Sequence, residues 1–343
     1  MQTGIVAGYG SVGKRHARLM SELVPRLAVI ERNAEARAQA EADHPGAVVA
    51  ADITALDGAA LPWDGAVAVV ATWGPSHAEI FHALADRGVR HVLCEKPMAS
   101  SVADADAMAA RAAREGITLG VHHYIRYAGL APRLAAEIAR LDLGDPVSIV
   151  IEGGAACLLT NGIHWIDFAA ELFGDSPERV VSTASGAPIN PRSPDLQLYG
   201  GTAVWTFSGG REAVITFTNH SSVALRARVY LRNAVADIES DLSVRIQRRD
   251  PAAVERFPAV TRTGAVVETL FEGQLPGVLP YLDGIRSAIQ DVSGSSEPKC
   301  PGAVGALAVG ACVGALVSAR EGRAVSLPLD PGHPGSTEQW PIS

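Results

Sequence analysis

Gly8-Tyr9-Gly10-Ser11-Val12-Gly13 follows the apolar run Gly4 to Ala7 and opens a helical pattern, Ser11 to Leu23. Between a strand and a helix each glycine has its own role. Gly8 permits the tight turn, Gly10 lets a pyrophosphate approach the backbone, and Gly13 lets helix and strand pack closely. The phosphates then lie over the helix N-terminus. A second apolar run, Arg26 to Ile30, ends at Glu31, 21 residues past Gly10, where an acid that hydrogen-bonds the adenosine ribose is expected. A carboxylate there repels a 2′-phosphate, so the pattern predicts NAD rather than NADP, with the adjacent Arg32 softening that preference.

Outward from this turn, the runs Ala66 to Ala71, His91 to Cys94 and Thr118 to Val121 are apolar throughout, as strands covered on both faces are. Helical patterns separate them: Ala34 to Ala42, Ser76 to Arg87 and Val102 to Glu115. This alternation predicts an α/β fold whose N-terminal domain, residues 1–121, is a doubly wound parallel Rossmann sheet. Beyond Val121 the pattern changes. A helix (Leu130 to Leu141), a strand (Val147 to Glu152) and a helix from Asn161 are followed by strand-like runs at 179–185, 202–207, 212–218, 226–231, 235–239 and 243–247. Successive strands without long helices predict an α+β domain over 122–330 with a large open, mainly antiparallel sheet. Helices at 277–290 and 303–319 close it, before an irregular tail, 331–343.

The chain has 343 residues, enough for about two domains, with 48% apolar and 19% charged residues. That composition excludes a disordered chain and a coiled coil. A net charge of −8 leaves no broad cationic face, so nucleic acid is not an expected partner. Cys94, Cys157, Cys300 and Cys312 form no C-x-x-C pair, and no charged stretch followed by an apolar signal core starts the chain. A reducing cytoplasm and no bound metal are therefore expected. Gly302 to Ala319 is uncharged over 18 residues, but eleven are Gly, Ala or Ser, which predicts a buried helix rather than a membrane span. Gly310 is expected at a close contact of that helix.

Further motifs resemble the Gfo/Idh/MocA oxidoreductases, the family of glucose-fructose oxidoreductase and inositol dehydrogenase. They are Gly8 to His16, then Ala71-Thr72-Trp73-Gly74-Pro75-Ser76-His77-Ala78-Glu79, Cys94-Glu95-Lys96-Pro97, Gly162-Ile163-His164-Trp165-Ile166-Asp167, and the closing Ser318 to Pro328. The resemblance implies cofactor contacts at Gly8, Tyr9, Gly10, Ser11, Val12, Gly13, Glu31, Arg32, Thr72, Trp73, His77, Glu95 and Lys96. It also implies a cis Lys96-Pro97 bond and a final helix, 303–319, that packs back on the nucleotide domain. Lys96 directly follows a strand end, where ligands of doubly wound sheets bind, and a partly desolvated ammonium there can exchange a proton near neutrality. Lys96 and His164 are the expected catalytic pair, with Asp167 orienting the imidazole or a substrate hydroxyl. Tyr124, Arg126 and Thr160 are the other expected substrate contacts. Thr160 stands where many polyol dehydrogenases of the family carry an aspartate. His16 and His77, in family positions near helix starts, are expected to be mainly structural, and the adjacent His122 and His123 to face opposite ways rather than form a metal pair.

The implied activity is NAD-dependent hydride transfer to or from a secondary alcohol or ketone of a sugar, sugar nucleotide or cyclitol. The implied assembly is a homodimer or homotetramer through the second sheet. Two alternatives share the motifs: a redox-neutral glycosidase that uses held NAD, and a sensor of NAD or sugar without chemistry.

Overall fold

Strands β1 (Thr3–Ala7), β2 (Arg26–Ile30), β3 (Val48–Ala50), β4 (Val67–Val70), β5 (His91–Glu95) and β6 (Thr118–His122) are all parallel, in the order 3-2-1-4-5-6. Apart from the half-buried Val48 and Val49 of β3, their Val, Ile and Leu side chains are buried on both faces; every residue of β1 and β4 is buried. Each such valine is worth about 1.5–3 kcal/mol of transfer free energy, which fixes the centre of the sheet. The order reverses between β1 and β4, and a crevice at the carboxyl ends of the strands there is where doubly wound sheets take ligands. This computed structural model describes residues 2–59, 61–154, 157–186, 198–218, 220–256, 264–294 and 296–342. Ala155 and Ala156, part of the expected connection to the motif helix, lie outside them.

Helix Ser11–Leu23 and helix Val102–Glu115 have the bounds that the sequence pattern predicts. The second is capped at its start by Ser101, whose hydroxyl accepts the Asp104 N–H at 3.0 Å, and stopped by Gly116 in the left-handed region. The sequence pattern missed β3, three residues long and paired on one side only, and helix Tyr124–Ala128, too short to show a period.

The chain divides into two compact units. The first joins Met1–Ala128, Leu279–Val313 and Asp330–Ser343; the second joins Gly129–Val278 and Gly314–Leu329. Beyond the expected return of helix 303–319, helix Tyr281–Val292 and the tail from Asp330 also belong to the first unit, which a cut at 121 does not include. Helix Tyr281–Val292 buries Ile285, Ala288, Ile289 and Val292, and Val292 lies so close to Gly120 of β6 that no Cβ fits there. The tail is less irregular than expected. Helix Pro334–Thr337 forms, Trp340 N–H donates to the Ser100 carbonyl at 2.9 Å, and Trp340 and Ile342 are buried.

Among the described residues the second unit carries β7 (Pro146–Gly154), β8 (Arg179–Ser182), β9 (Ser185–Gly186), β10 (Tyr199–Thr206), β11 (Glu212–Thr218), β12 (Arg226–Leu231), β13 (Ala234–Ile238), β14 (Val244–Arg249), β15 (Val266–Gly273) and β16 (Val325–Ser326). They form one sheet, β15-β14-β13-β12-β7-β11-β10-β8-β16, with β9 beside β10; only β7 and β11 run parallel. Register sorts the side chains onto two faces. One row, Val180, Trp205, Ala213, Ile149, Val229, Ala236 and Ile246, is fully buried or nearly so. The opposite row runs Val181, Val204, Val214, Val150, Arg228, Asp237 and Arg245. Its apolar half is left partly or largely open, and in its charged half Arg228 grips Asp237 through two bonds of 2.6 and 3.0 Å.

Helix Gly302–Glu321 is long and apolar enough to cross a membrane, yet 78% of its most apolar window is buried inside the protein. Its glycines meet neighbours directly. A Cβ at Gly302 would strike the Leu119 side chain and one at Gly305 that of Val121, both in the first unit. The expectation for Gly310 needs correction: it is buried, but nothing among the described residues lies within 4 Å of where its Cβ would stand. Gly305→Leu is therefore the overpacking substitution and should cost about 1–3 kcal/mol in urea unfolding, with Gly310→Ala close to neutral. Equal stabilities for Gly305→Leu and the parent would contradict this packing.

Candidate active site

The phosphate turn is shaped by backbone crowding. Gly8 has φ +96°, and a Cβ there would lie 2.6 Å from the Ala71 carbonyl oxygen and 2.7 Å from the Thr72 nitrogen. A Cβ at Gly13 would strike the Gly8 carbonyl oxygen. A larger residue at Gly13 would push helix Ser11–Leu23 off the turn, and one at Gly8 would strike the chain just after β4. Gly10 differs: it is exposed, with nothing within 4 Å of its Cβ direction among the described residues. Gly10 is also the N-cap and has no side chain to occupy the first-turn N–H groups. The cradle therefore fits a dinucleotide's pyrophosphate, with anion-binding N–H groups and the positive end of the helix dipole facing open space.

Glu31 directly follows β2, and its two carboxylate oxygens accept the N–H groups of Tyr9 at 2.7 Å and Asn33 at 2.8 Å. The acid is thus tied to the glycine turn itself. Each oxygen keeps a lone pair for a ribose hydroxyl. Arg37 donates to the carbonyls of Glu31 and Arg32 at 2.9 and 2.7 Å, bracing this loop, while the Arg32 side chain is exposed and 3.9 Å from Glu79. Tyr9 is a buried strut. Its hydroxyl donates to Asp43 at 2.8 Å, and burial, then the Asp43 contact, pushes its pKa up.

The ends of β4 and β5 carry the next expected residues. Ser76 donates to the Thr72 hydroxyl at 2.8 Å, and Trp73 is 39% exposed beside it. His77 is buried, its Nδ1 2.9 Å from the Pro97 carbonyl and its Nε2 3.1 Å from the Thr72 carbonyl. Both ring nitrogens face backbone, so His77 sits structurally between the Thr72 loop and the segment after Lys96, as expected of it. Burial lowers its pKa against the opposing pull of the two carbonyls. The Lys96-Pro97 bond is cis, as the resemblance implies.

Glu95, expected among the cofactor contacts, is instead buried between two imidazoles. His16 Nε2 and His122 Nδ1 both lie 2.7 Å from its Oε1, and the Lys96 N–H is 3.4 Å from Oε2. Burial pushes the Glu95 carboxyl up, but the charge and hydrogen bonds of His122 and then His16 outweigh it and hold it well below the usual carboxylate range. Burial lowers His16, although Glu95 opposes it. Three potential ligand atoms here lie within 4.8 Å of one another; in this geometry the contacts at 2.7 Å are hydrogen bonds. His123, next to His122, is also buried, so neither adjacent histidine faces solvent.

Tyr124 opens the short helix after β6, half-buried, its hydroxyl pushed up to about 12 by burial. Its ring lies 6.1 Å from Tyr281, which the sequence pattern did not single out. Tyr281 stands 39% exposed under the Arg15 guanidinium, 5.4 Å from its ring centre. Only a proline before a helix marked it in sequence. Arg126 donates to the Lys299 carbonyl at 3.4 Å.

The second unit holds the remaining expected residues. Asn161 closes the preceding loop by accepting the Cys157 N–H at 2.9 Å, and helix Gly162–Phe173 follows with His164 and Asp167 both buried. Three residues apart, they share one side of the helix. Thr160 is half-buried, its N–H on the Cys157 sulfur at 3.5 Å. Within the helix, Trp165 packs edge-on to Phe168, ring centres 5.5 Å apart, and both are buried.

The family model described as "Oxidoreductase family, NAD-binding Rossmann fold" matches residues 2–123. The chain is 26% identical over 133 residues to 1,5-anhydro-D-fructose reductase of Ensifer adhaerens, covering 34% of this chain and 40% of that one. It is 30% identical over 186 residues to D-xylose 1-dehydrogenase (NADP(+)) 2 of Haloferax volcanii, covering 46% and 52%. It thus spans about half, or less, of the length of these curated relatives. The solved structure of levoglucosan dehydrogenase with NADH and levoglucosan superposes with a TM-score of 0.74 over 95% of this chain and 99% of that one, at 18% identity. At that identity the likeness is one of fold.

The buried histidines set a pH dependence of stability. His16 and His77 have folded values below the ordinary 6.5, so between those values and 6.5 the unfolded chain binds more protons and stability rises with pH. Unfolding free energy should be level above about pH 7.5 and fall below about 6.5, by up to about 1.4 kcal/mol per pH unit for each histidine. Urea melts of the parent and His77→Gln from about pH 7.5 to about 5.5 check this: the variant should show the shallower slope, and identical slopes would count against it.

Proposed function

With residues 2–123 in the Gfo/Idh/MocA oxidoreductase family as an NAD-binding Rossmann domain, we propose that this chain is an NAD-dependent dehydrogenase or reductase acting on a secondary alcohol or ketone of a sugar, sugar nucleotide or cyclitol. The observation that carries the reading is a shared edge. Gly8 follows β1, Glu31 follows β2 and Lys96 follows β5, so turn, acid and lysine lie at the carboxyl ends of one parallel sheet. Relatives named as a reductase of 1,5-anhydro-D-fructose and a dehydrogenase of D-xylose support a carbohydrate substrate. Bound NAD would supply the hydride acceptor or donor at its nicotinamide ring.

The chain's own residues bind the cofactor, move the proton and hold the sugar. The turn holds the pyrophosphate, and the Glu31 carboxylate accepts from the ribose hydroxyls and repels a 2′-phosphate, which favours NAD over NADP. Lys96 and His164 move the hydroxyl proton in step with hydride, and Asp167, one helical turn from His164, orients the imidazole or a substrate hydroxyl. Thr160 and Tyr124 offer hydroxyls, and Arg126 a cation, to the sugar. A second copy of the chain covers the open valine half of the large sheet, making a homodimer or homotetramer. The reading also takes the protein to work in the cytoplasm.

Two measurements test it. Calorimetric titration should show tighter binding of NAD than of NADP, and Glu31→Ala should weaken NAD by about 10- to 100-fold, the loss of charge-assisted hydrogen bonds. Unchanged cofactor preference in Glu31→Ala would assign the choice to another group. In a screen of sugars and cyclitols, Lys96→Met and His164→Ala should each lower kcat by roughly 10²- to 10⁴-fold with NAD affinity nearly intact, and the double variant should lose far less than the product. Wild-type rates in both single variants would remove the mechanism. Glycoside cleavage without net NADH would point to the redox-neutral glycosidase instead, and ligand binding without turnover to a sensor.

A further inference from the structure

A carboxylate buried only for packing is a poor choice, because apolar residues of similar volume usually serve as well or better. Glu95 is 7% exposed and lies where three functional segments converge. His16 comes from the helix that starts at the phosphate turn, Glu95 ends β5 immediately before Lys96, and His122 ends β6 just before Tyr124. The two imidazoles stand at 82° to each other, ring centres 5.6 Å apart, so they meet the same oxygen edge-on and do not stack.

Proton counting fixes the donors. An ionised carboxylate only accepts, so each imidazole presents an N–H to Oε1: Nε2–H of His16 and Nδ1–H of His122. The opposite nitrogens, His16 Nδ1 and His122 Nε2, are buried without a hydrogen-bond partner among the described residues, so the contacts to Glu95 are the ones that orient both rings. The negative charge of the trio sits on the Glu95 carboxylate. Around it stand Arg15 and Tyr281, Tyr127 with Asp291, Cys94, His77 and Lys96 itself.

We propose that His16, Glu95 and His122 form a positioning unit, which fixes the Lys96 backbone to the phosphate-turn helix and holds a negative charge that strengthens the hold of the Lys96 amine on the proton it exchanges with the substrate hydroxyl. His16 and His122 act through Glu95, and Glu95 acts through Lys96. The catalytic use of Lys96 rests on the function proposed above; the effect of the trio on its amine does not.

The amine can be read without a substrate. Competitive acylation followed by mass spectrometry of NAD-loaded protein gives the titration midpoint of Lys96. Glu95→Gln keeps the shape and removes the charge, and should lower that midpoint by about 0.5–1 pH unit. His16→Leu and His122→Leu should move it too and slow hydride transfer about 10- to 100-fold, with NAD affinity within about threefold. His16→Gln and His122→Asn, whose amides put an N–H near the lost ring nitrogen, should restore both readouts. If the leucine variants do not fold, Glu95→Gln against the parent still decides. An unmoved midpoint in Glu95→Gln, equal losses in the leucine and amide variants, or stoichiometric zinc bound by the trio would each overturn the proposal. A shifted midpoint in a protein that turns over no alcohol would support the positioning unit and remove the oxidoreductase reading alone.

Discussion

The approach of helix Ser11–Leu23 to the sheet at the Gly8–Gly13 contact is the constraint on which the ligand edge depends. A Cβ at Gly13 has no room against the Gly8 carbonyl, and Gly8 in turn sits against Ala71 and Thr72 at the end of β4. That closeness aims the helix N-terminus across the carboxyl ends of β1 and β4, where the strand order reverses. It also brings the Tyr9 N–H to the Glu31 carboxylate, so the acid and the turn move as one piece. Backbone packing, rather than any charged pair, sets this geometry, and protein interiors yield little to such strain.

The same helix delivers His16 into the interior, onto Glu95. The cost of burying that carboxylate is offset by two short hydrogen bonds, and the ionised state wins because both donors are also buried and held. His77 lies on the other side of Lys96, between the Thr72 and Pro97 carbonyls, to one of which its neutral ring donates. Lys96 therefore emerges from a segment fixed by buried imidazoles on both flanks. A mobile surface lysine would have no such support.

In the second unit, strand register does the equivalent work. Trp205, Ala213, Ile149 and Val229 share one buried row, while the opposite row leaves Val181, Val204, Val214 and Val150 facing outward beside the Arg228–Asp237 pair. A one-residue slip would exchange the two rows, so the burial of one face specifies the exposure of the other.

Sequence alone determined the parallel sheet, because apolar runs of four to six residues alternating with helical periods admit few other arrangements. It also determined the turn, Glu31 and the Glu95-Lys96-Pro97 and Gly162-to-Asp167 segments as candidates, since residue type and spacing carry that chemistry locally. The short elements were illegible. β3 and helix Tyr124–Ala128 are too brief for a period, and edge strand β15, Val266–Gly273, has no buried face to impose alternation. Only tertiary structure decided that Glu95 turns inward, that His16 and His122 meet on one of its oxygens, that His77 spends its nitrogens on backbone and that Gly305 rather than Gly310 is crowded. Residues 79 and 27 positions from Glu95 leave no mark on its local sequence; the folding of distant strands and helices onto one another brings them within reach of a single oxygen.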